Sequence, residues 1–201
     1  ASMRKDLLPI ILSYAAVYVV WGSTYLAISW TVETIPPYYV VAFRFLASGL
    51  AFLLISALGG KLRRAPTRKE YLSAAFLAVF LLLGGNGFVS VGEMTVDSYI
   101  AAIVISSTPF CVALFNRLFF KARLSLPRLA GMALGLAGVA ILLYDGHEAR
   151  FSLSWGMLFV GLGFLSWAFG TSLSKSKAFA VHPDNFVNSG IEWTMAGAAA
   201  L

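Results

Sequence analysis

Charge and cysteine are scarce in this 201-residue sequence: 12% of the residues are charged, and there is one cysteine. Soluble domains carry about 25% charged residues because their outer surface must face water. Half that supply, with 59% hydrophobic residues, excludes a disordered chain and most soluble enzymes. Cys111 alone closes no internal disulfide, which excludes a disulfide scaffold. The two histidines, His147 and His182, fall in loops expected on opposite sides of a bilayer and share no metal. The sequence contains no G-x4-G-K-[ST] phosphate loop, no H-E-x-x-H and no Cys/His cluster. No catalytic residue, metal site or cofactor is therefore expected. G-x-G-x-x-S at Gly85 and Gly161 lies inside apolar runs and reads as helix packing.

What the sequence has is long apolar runs. A helix needs about 20 apolar residues to cross the hydrocarbon. Seven runs qualify: about 9–30, 38–58, 70–92, 98–119, 126–144, 153–174 and 185–201. Pro9 suits a first turn, Pro36-Pro37 separates runs one and two, and Pro127 opens run five. Inside lipid every backbone group must be paired internally, and runs of this length and composition are helices. The expected fold is an all-α integral membrane protein, a polytopic helical bundle.

The net charge of +6 is a matter of topology. With a cytoplasmic N-terminus, 13 of the 15 basic residues lie on the inside: Arg4, Lys5, Lys61, Arg63, Arg64, Arg68, Lys69, Arg117, Lys121, Arg123, Arg128, Lys175 and Lys177. The outer loops hold Arg150 alone, beside Glu33, Glu93, Asp97, Asp145 and Glu148, while Arg44 lies within run two. This sorting is the positive-inside signal, and it removes nucleic acid as a partner. Membrane lipid is the expected surrounding. Run one is too long for the core of a cleavable signal and lacks a small-residue cleavage site. Ala1-Ser2 ahead of Met3 reads as an addition. The sequence stops at Leu201 inside run seven, as a truncated chain would.

Polar residues inside the spans are costly and need a role. In run one, Trp21, Ser23, Thr24 and Tyr25 read either as a close-packing helix face or as the wall of a substrate cavity. Arg44 needs a carboxylate, carbonyls or water; it either snorkels, forms a structural ion pair or binds an anionic group. Asn86 sits in Gly84-Gly85-Asn86-Gly87, where the glycines permit close approach or a locally opened helix. It binds substrate or bridges helices. Glu93, near the outer interface, is expected to be solvated. Pro109 crowds the carbonyl of Ile105 and predicts a kink near the midplane, a static bend or a hinge, with Ser106 and Thr108 serving the freed carbonyls. Gly85 and Gly87 are the other hinge candidates. Gly131, Gly135 and Gly138 mark a close-packing face, within the chain or towards a second copy. Trp167 and Thr171 extend the cavity wall from run six. Glu192, the only acidic residue well inside a run, is either a proton-coupling site or the partner of Arg44.

In order and spacing, Trp21-Gly22-Ser23-Thr24-Tyr25-Leu26-Ala27-Ile28, Pro36-Pro37, Arg44-Phe45-Leu46, Gly49, Gly84-Gly85-Asn86-Gly87, Ala101-Ala102, Thr108-Pro109 and Gly131-x3-Gly135-x2-Gly138-Val139 resemble EamA-type members of the drug/metabolite transporter superfamily. The resemblance is good over about 10–145 and thinner over 153–201. It implies ten helices in two five-helix repeats of inverted topology, with substrate held between the halves near the midplane. Residues 1–145 would be the first repeat and 146–201 the start of the second. Lys121-Ala122-Arg123 stands where that family often has an acidic residue, so an inner-side ion pair is expected to be missing.

The reading is a secondary transporter, an exporter of small organic metabolites or drugs, working by alternating access in a bacterial-type cytoplasmic membrane. Trp21, Ser23, Thr24, Tyr25, Arg44, Asn86, Thr108, Trp167 and Thr171 are its substrate-binding candidates, and Glu192 its coupling candidate. Two rivals are a seven-helix receptor or light-driven protein and a non-transporting interaction subunit. The first is disfavoured because a cytoplasmic N-terminus puts the end of a seventh helix outside, and because run seven has no lysine for a retinal Schiff base.

Overall fold

A computed structural model of the chain describes residues 3–144 and 154–201. His147, Asp145, Glu148 and Arg150 lie outside the described residues. Seven helical spans follow the seven apolar runs: α1 (Leu7–Val32), α2 (Pro37–Leu58), α3 (Arg68–Gly92), α4 (Ser98–Phe120), α5 (Leu126–Leu143), α6 (Trp155–Leu173) and α7 (Asn185–Ala199). Five of them, α1 to α4 and α6, are long and apolar enough to cross a membrane. No β-strand occurs among the described residues.

Local chemistry sets the boundaries. Pro36 is extended and Pro37 starts α2, where its missing N–H costs nothing. Gly60 ends the following turn at φ 65°, a conformation that only glycine adopts without penalty. A capping box opens α3: the Glu70 amide donates to Thr67 Oγ1 at 3.3 Å, and the Thr67 amide donates to Glu70 Oε2 at 2.7 Å. Ser154 caps α6 by accepting from the Met157 amide. Asp184 caps α7 by accepting from the Phe186 and Val187 amides.

Three spans depart from a regular α-helix. α1 is π-helical over Val17–Trp21 and α3 over Ala78–Gly87. The wider turns shift carbonyls out of register, and side chains serve some of them. Ser166 of α6 donates to the Phe80 carbonyl at 2.7 Å, and Asn86 Nδ2 donates to the Leu81 carbonyl at 3.3 Å. α4 breaks at Ser106-Ser107, just ahead of Pro109. There Thr108 donates to the Ile105 carbonyl at 2.6 Å and Ser106 to Ile103 at 2.5 Å, the arrangement Pro109 predicts.

Two glycine seams hold the centre together. Along α2 and α7, Gly49 faces the Thr194 backbone, Gly197 faces the Leu46 backbone, and Gly190 faces Leu53. Along α3 and α6, Gly163 abuts the Gly85 carbonyl and Gly92 abuts Gly156 and Val160. Backbones approach this closely only where no side chain intervenes, which is how helices associate without a hydrophobic driving force. The main core cluster, Val41, Phe45, Ala78, Leu82 and Ala196, lies where the two seams meet. α1 and α5 are peripheral. No residue of the stretch 7–21 is buried, and on α5 Gly135 meets the Phe110 ring while Gly131 and Gly138 face open space. Among the described residues, the close-packing face expected on α5 is thus used within the chain only at Gly135. Gly161, expected to pack, also faces open space.

At one end of the bundle the 59–67 and 174–184 loops are tied together. Lys61 pairs with Asp184 at 3.1 Å, and the Ala180 amide donates to Ser73 Oγ at 3.0 Å. His182 is buried there; its Nδ1 accepts from the Asp184 amide, which leaves Nε2 to carry the proton towards the Arg64 carbonyl, 3.4 Å away. Arg64 in turn pairs with Glu70 at 2.8 Å. These basic loops share one face, as the sorting of lysine and arginine requires.

Candidate functional site

Arg44 lies seven residues into α2, about 10 Å along the helix from its start. It donates to Asn86 Oδ1 on α3, and its guanidinium carbon rests 4.7 Å from the centre of the Phe45 ring. Among the described residues it makes no other hydrogen bond and no ion pair. A guanidinium has five N–H donors in a planar fork, so most of its donor capacity is unspent.

The glycines around Asn86 explain why rings collect there. A Cβ at Gly85 would lie 2.8 Å from Cε3 of Trp167, and one at Gly87 would lie 2.8 Å from Cε1 of Tyr38. Each ring occupies the space of an absent side chain. Trp21 meets Trp167 edge to face with centroids 5.9 Å apart, and its Nε1 donates to the Tyr25 hydroxyl at 3.1 Å. Trp21 is 52% exposed. Trp21 and Tyr25 of α1, Tyr38 of α2 and Trp167 of α6 thus bring flat, amphipathic rings from three helices beside Asn86 and its partner Arg44. Such a mostly apolar lining with few polar groups is typical of small-molecule sites.

The other candidates are placed differently. Ser23 and Thr24 both donate to the Val20 carbonyl, at 3.1 and 2.9 Å, so their hydroxyls serve the π-helical turn of α1. The Thr108 hydroxyl is likewise committed to Ile105. Thr171 is half-buried on α6, one turn beyond Trp167. Glu192 is 8% exposed within α7, with no hydrogen bond or ion pair to a described residue. It is not the partner of Arg44, which turns to Asn86 instead.

Three residues of the cluster were not among the sequence candidates: Tyr38, Phe45 and Glu93. Tyr38 follows directly on the helix-starting Pro37, and nothing in the pattern marks it. Glu93 was expected in solvent, but it is 5% exposed and neither carboxylate oxygen has a hydrogen-bond partner. It interacts electrostatically with both Arg44 and Tyr25. Beyond it, a cavity of about 390 Å³ opens at the same end of the bundle, lined by Thr95, Asp97, Tyr99, Ile100, Ser154 and Met157 among others.

The EamA-like transporter family matches residues 8–144. The uncharacterized inner membrane transporter YedA of Escherichia coli (strain K12) is 38% identical over 168 residues, covering 83% of this chain and 53% of its own. The uncharacterized transporter YdfC of Bacillus subtilis (strain 168) is 29% identical over 82% of this chain and 53% of its own. The protein PagO of Salmonella typhimurium is 26% identical over 76% of this chain and 49% of its own. The chain spans about half the length of the curated relatives it matches. No solved structure matches it.

Proposed function

Because the chain belongs to the EamA-like transporter family, we propose that it forms part of a secondary transporter that exports small organic solutes across a bacterial-type inner membrane by alternating access. The observation that carries this reading is the largely unspent guanidinium of Arg44, tethered by Asn86 beside the rings of Trp21, Tyr25, Tyr38 and Trp167. A half-buried cation within a membrane span, with open donor positions, is costly in a purely structural role. In a solute site it orients an anionic group bidentately, and the rings take the apolar remainder. The relative YedA is named as an inner membrane transporter, and the basic loops on one face support a cytoplasmic N-terminus.

The remaining parts of the reading follow. Residues 1–145 act as one repeat and 146–201 open the second, inverted one. Glu192, buried without a partner among the described residues, is the proton-coupling site. Gly85, Gly87 and Pro109 absorb bending, and the chemistry is carriage without a catalytic step. The Gly131, Gly135 and Gly138 face, open at two of its three glycines, is where a second copy would dock.

The test is a thermal-shift screen of the intact, detergent-solubilised protein against amino acids, organic acids and amines, since a ligand bound only by the folded state raises Tm. Flux of each hit in proteoliposomes follows. Arg44→Ala is expected to abolish flux of carboxylate-bearing hits, and Glu192→Gln to remove its pH dependence. If both variants transport as the parent does, with the same pH profile, these roles are wrong.

A further inference from the structure

The turn between α4 and α5 concentrates positive charge that the rest of the chain leaves unanswered. Arg117, Lys121, Arg123 and Arg128 lie at this turn, all exposed, and residues 98–144 contain no aspartate or glutamate. The two ion pairs among the described residues, Lys61–Asp184 and Arg64–Glu70, belong to the neighbouring loops. Those loops offset part of their own charge, whereas the four cations of the turn have no carboxylate partner among the described residues. Like charges gathered in one place repel, yet here the backbone holds them. The Asn116 carbonyl accepts from the Lys121 and Ala122 amides, and Arg117 Nη1 donates to the Ala122 carbonyl at 3.4 Å. Lys121 itself ends α4 at φ 52°, a left-handed position that glycine ordinarily fills. The surroundings place the cluster at the edge of the hydrocarbon. Phe119, in the last turn of α4, meets the Phe169 ring of α6 with centroids 5.8 Å apart, so the turn lies at the same end of the bundle as the 174–184 loop that follows α6. Leu118, Phe120 and Leu126 flank the cations and are also exposed.

We propose that the α4–α5 turn is a binding site for an anionic phospholipid, its phosphodiester held by Arg117, Lys121, Arg123 and Arg128 and its acyl chains lying along Leu118, Phe120 and Leu126. A basic cluster directly beyond a span is the surface that anionic headgroups recognise. Arginine fits phosphate oxygens with parallel N–H donors, and lysine adds a compact charge. Phosphatidylglycerol and cardiolipin carry no amine to offset their phosphates, so their charge complements the turn. Phosphatidylethanolamine brings an ammonium that the four cations repel. A phosphate without chains has the charge but leaves the apolar flank uncovered.

The test titrates the intact protein, in a neutral detergent, with cardiolipin, phosphatidylglycerol, phosphatidylethanolamine and glycerol 3-phosphate. Apparent dissociation constants are read from the concentration dependence of Tm. At least one of the two anionic lipids is expected to bind about tenfold or more tightly than both phosphatidylethanolamine and glycerol 3-phosphate. The pair Lys121→Gln and Arg123→Gln, made together, is expected to remove most of that margin. The pair Lys175→Gln and Lys177→Gln takes the same charge from exposed lysines of the 174–184 loop and is expected to leave the margin standing. Lys121→Gly separates binding from folding. Glycine accepts the left-handed backbone freely, so Tm without lipid should hold or rise while the hold on the anionic lipid weakens. This variant decides the matter if the first pair fails to fold. Equal binding of anionic lipid and phosphatidylethanolamine, glycerol 3-phosphate bound as tightly as the lipids, equal losses in the two paired variants, or undiminished lipid affinity in Lys121→Gly overturns the proposal.

Discussion

The seam between α2 and α7 permits a quantitative test. A Cβ placed at Gly49 would lie 2.5 Å from the Thr194 amide nitrogen and 3.0 Å from the Trp193 carbonyl carbon. Comfortable carbon contacts lie near 3.5 Å, so the overlap is about 1 Å. The obstacle is backbone and cannot rotate away, so the helices must separate. A gap of that order forfeits about a quarter to a half of the dispersion energy at the atoms it separates. Overpacking of this kind costs up to about 3 kcal/mol, and the better helix propensity of alanine returns about 1 kcal/mol. Gly49→Ala should therefore destabilise by about 2 kcal/mol. Gly138→Ala is the control, because nothing lies within 4 Å of its Cβ position; there the propensity gain of about 1 kcal/mol stands alone. The two variants should differ by about 3 kcal/mol, or roughly 6–12 °C in Tm for a chain of this size. Tryptophan fluorescence during thermal unfolding in detergent measures this directly, with Trp193 on the seam itself. Equal Tm values for Gly49→Ala and Gly138→Ala would refute the close backbone contact and the interhelical geometry built on it.

Two further predictions concern the basic end. Thr67→Ala removes the side-chain acceptor of the capping box that starts α3, and should cost about 1 kcal/mol, read as a Tm lower by about 2–4 °C and faster amide exchange at Glu70; an unchanged Tm and exchange rate would count against the cap. At Asp184, desolvation pushes the carboxyl up, but Lys61 and the amides of Val187 and Phe186 outweigh it and hold it below the ordinary carboxylate range. A depressed value in the folded state means that this contribution is complete above the unfolded value of about 4 and is lost as pH falls through the lower folded one. The Tm difference between the parent and Asp184→Asn should thus stay constant from neutral pH to about 5 and close below that, whereas a difference that grows on acidification contradicts the assignment.

The spans were legible because each apolar run is punctuated by residues with one physical meaning. Pro36-Pro37 starts a helix and Gly60 takes a positive φ. The α4 break was legible for the same reason: Pro109 has no N–H to give, and the hydroxyl that takes up the freed Ile105 carbonyl stands beside it at Thr108. The glycines around Asn86 implied either an opened helix or close approach, and the structure has both. Other features depend on partners distant in sequence. Arg44 and Asn86 are 42 residues apart, and sequence offered the charged Glu192 as the more obvious partner. Glu93 looks interfacial when counted along α3 alone, since its burial comes from neighbouring helices. The π-helical turn at Val17–Trp21 contains no glycine or proline, so nothing foretold that Ser23 and Thr24 would turn back to Val20.

The seams also constrain how the site could open. Both join helices from opposite sides of the repeat boundary expected near residue 145: α2 with α7, and α3 with α6. A rocking motion that parted 1–145 from 146–201 as two rigid bodies would have to break backbone contact at Gly49, Gly163 and Gly197 at once, with no side chains to refill the gap. Close-packed interiors switch between discrete arrangements and do not slide continuously. The weakly held elements lie elsewhere. The first half of α1 buries nothing, α1 carries a π-helical turn ending at Trp21, and α4 is interrupted at Ser106-Ser107. Trp21 and Tyr25 come from that loosely packed α1, while Arg44, Asn86, Glu93 and Trp167 come from the seamed helices. The charged half of the site is therefore fixed by the bundle, and Trp21 and Tyr25 are carried by a helix that lies outside both glycine seams.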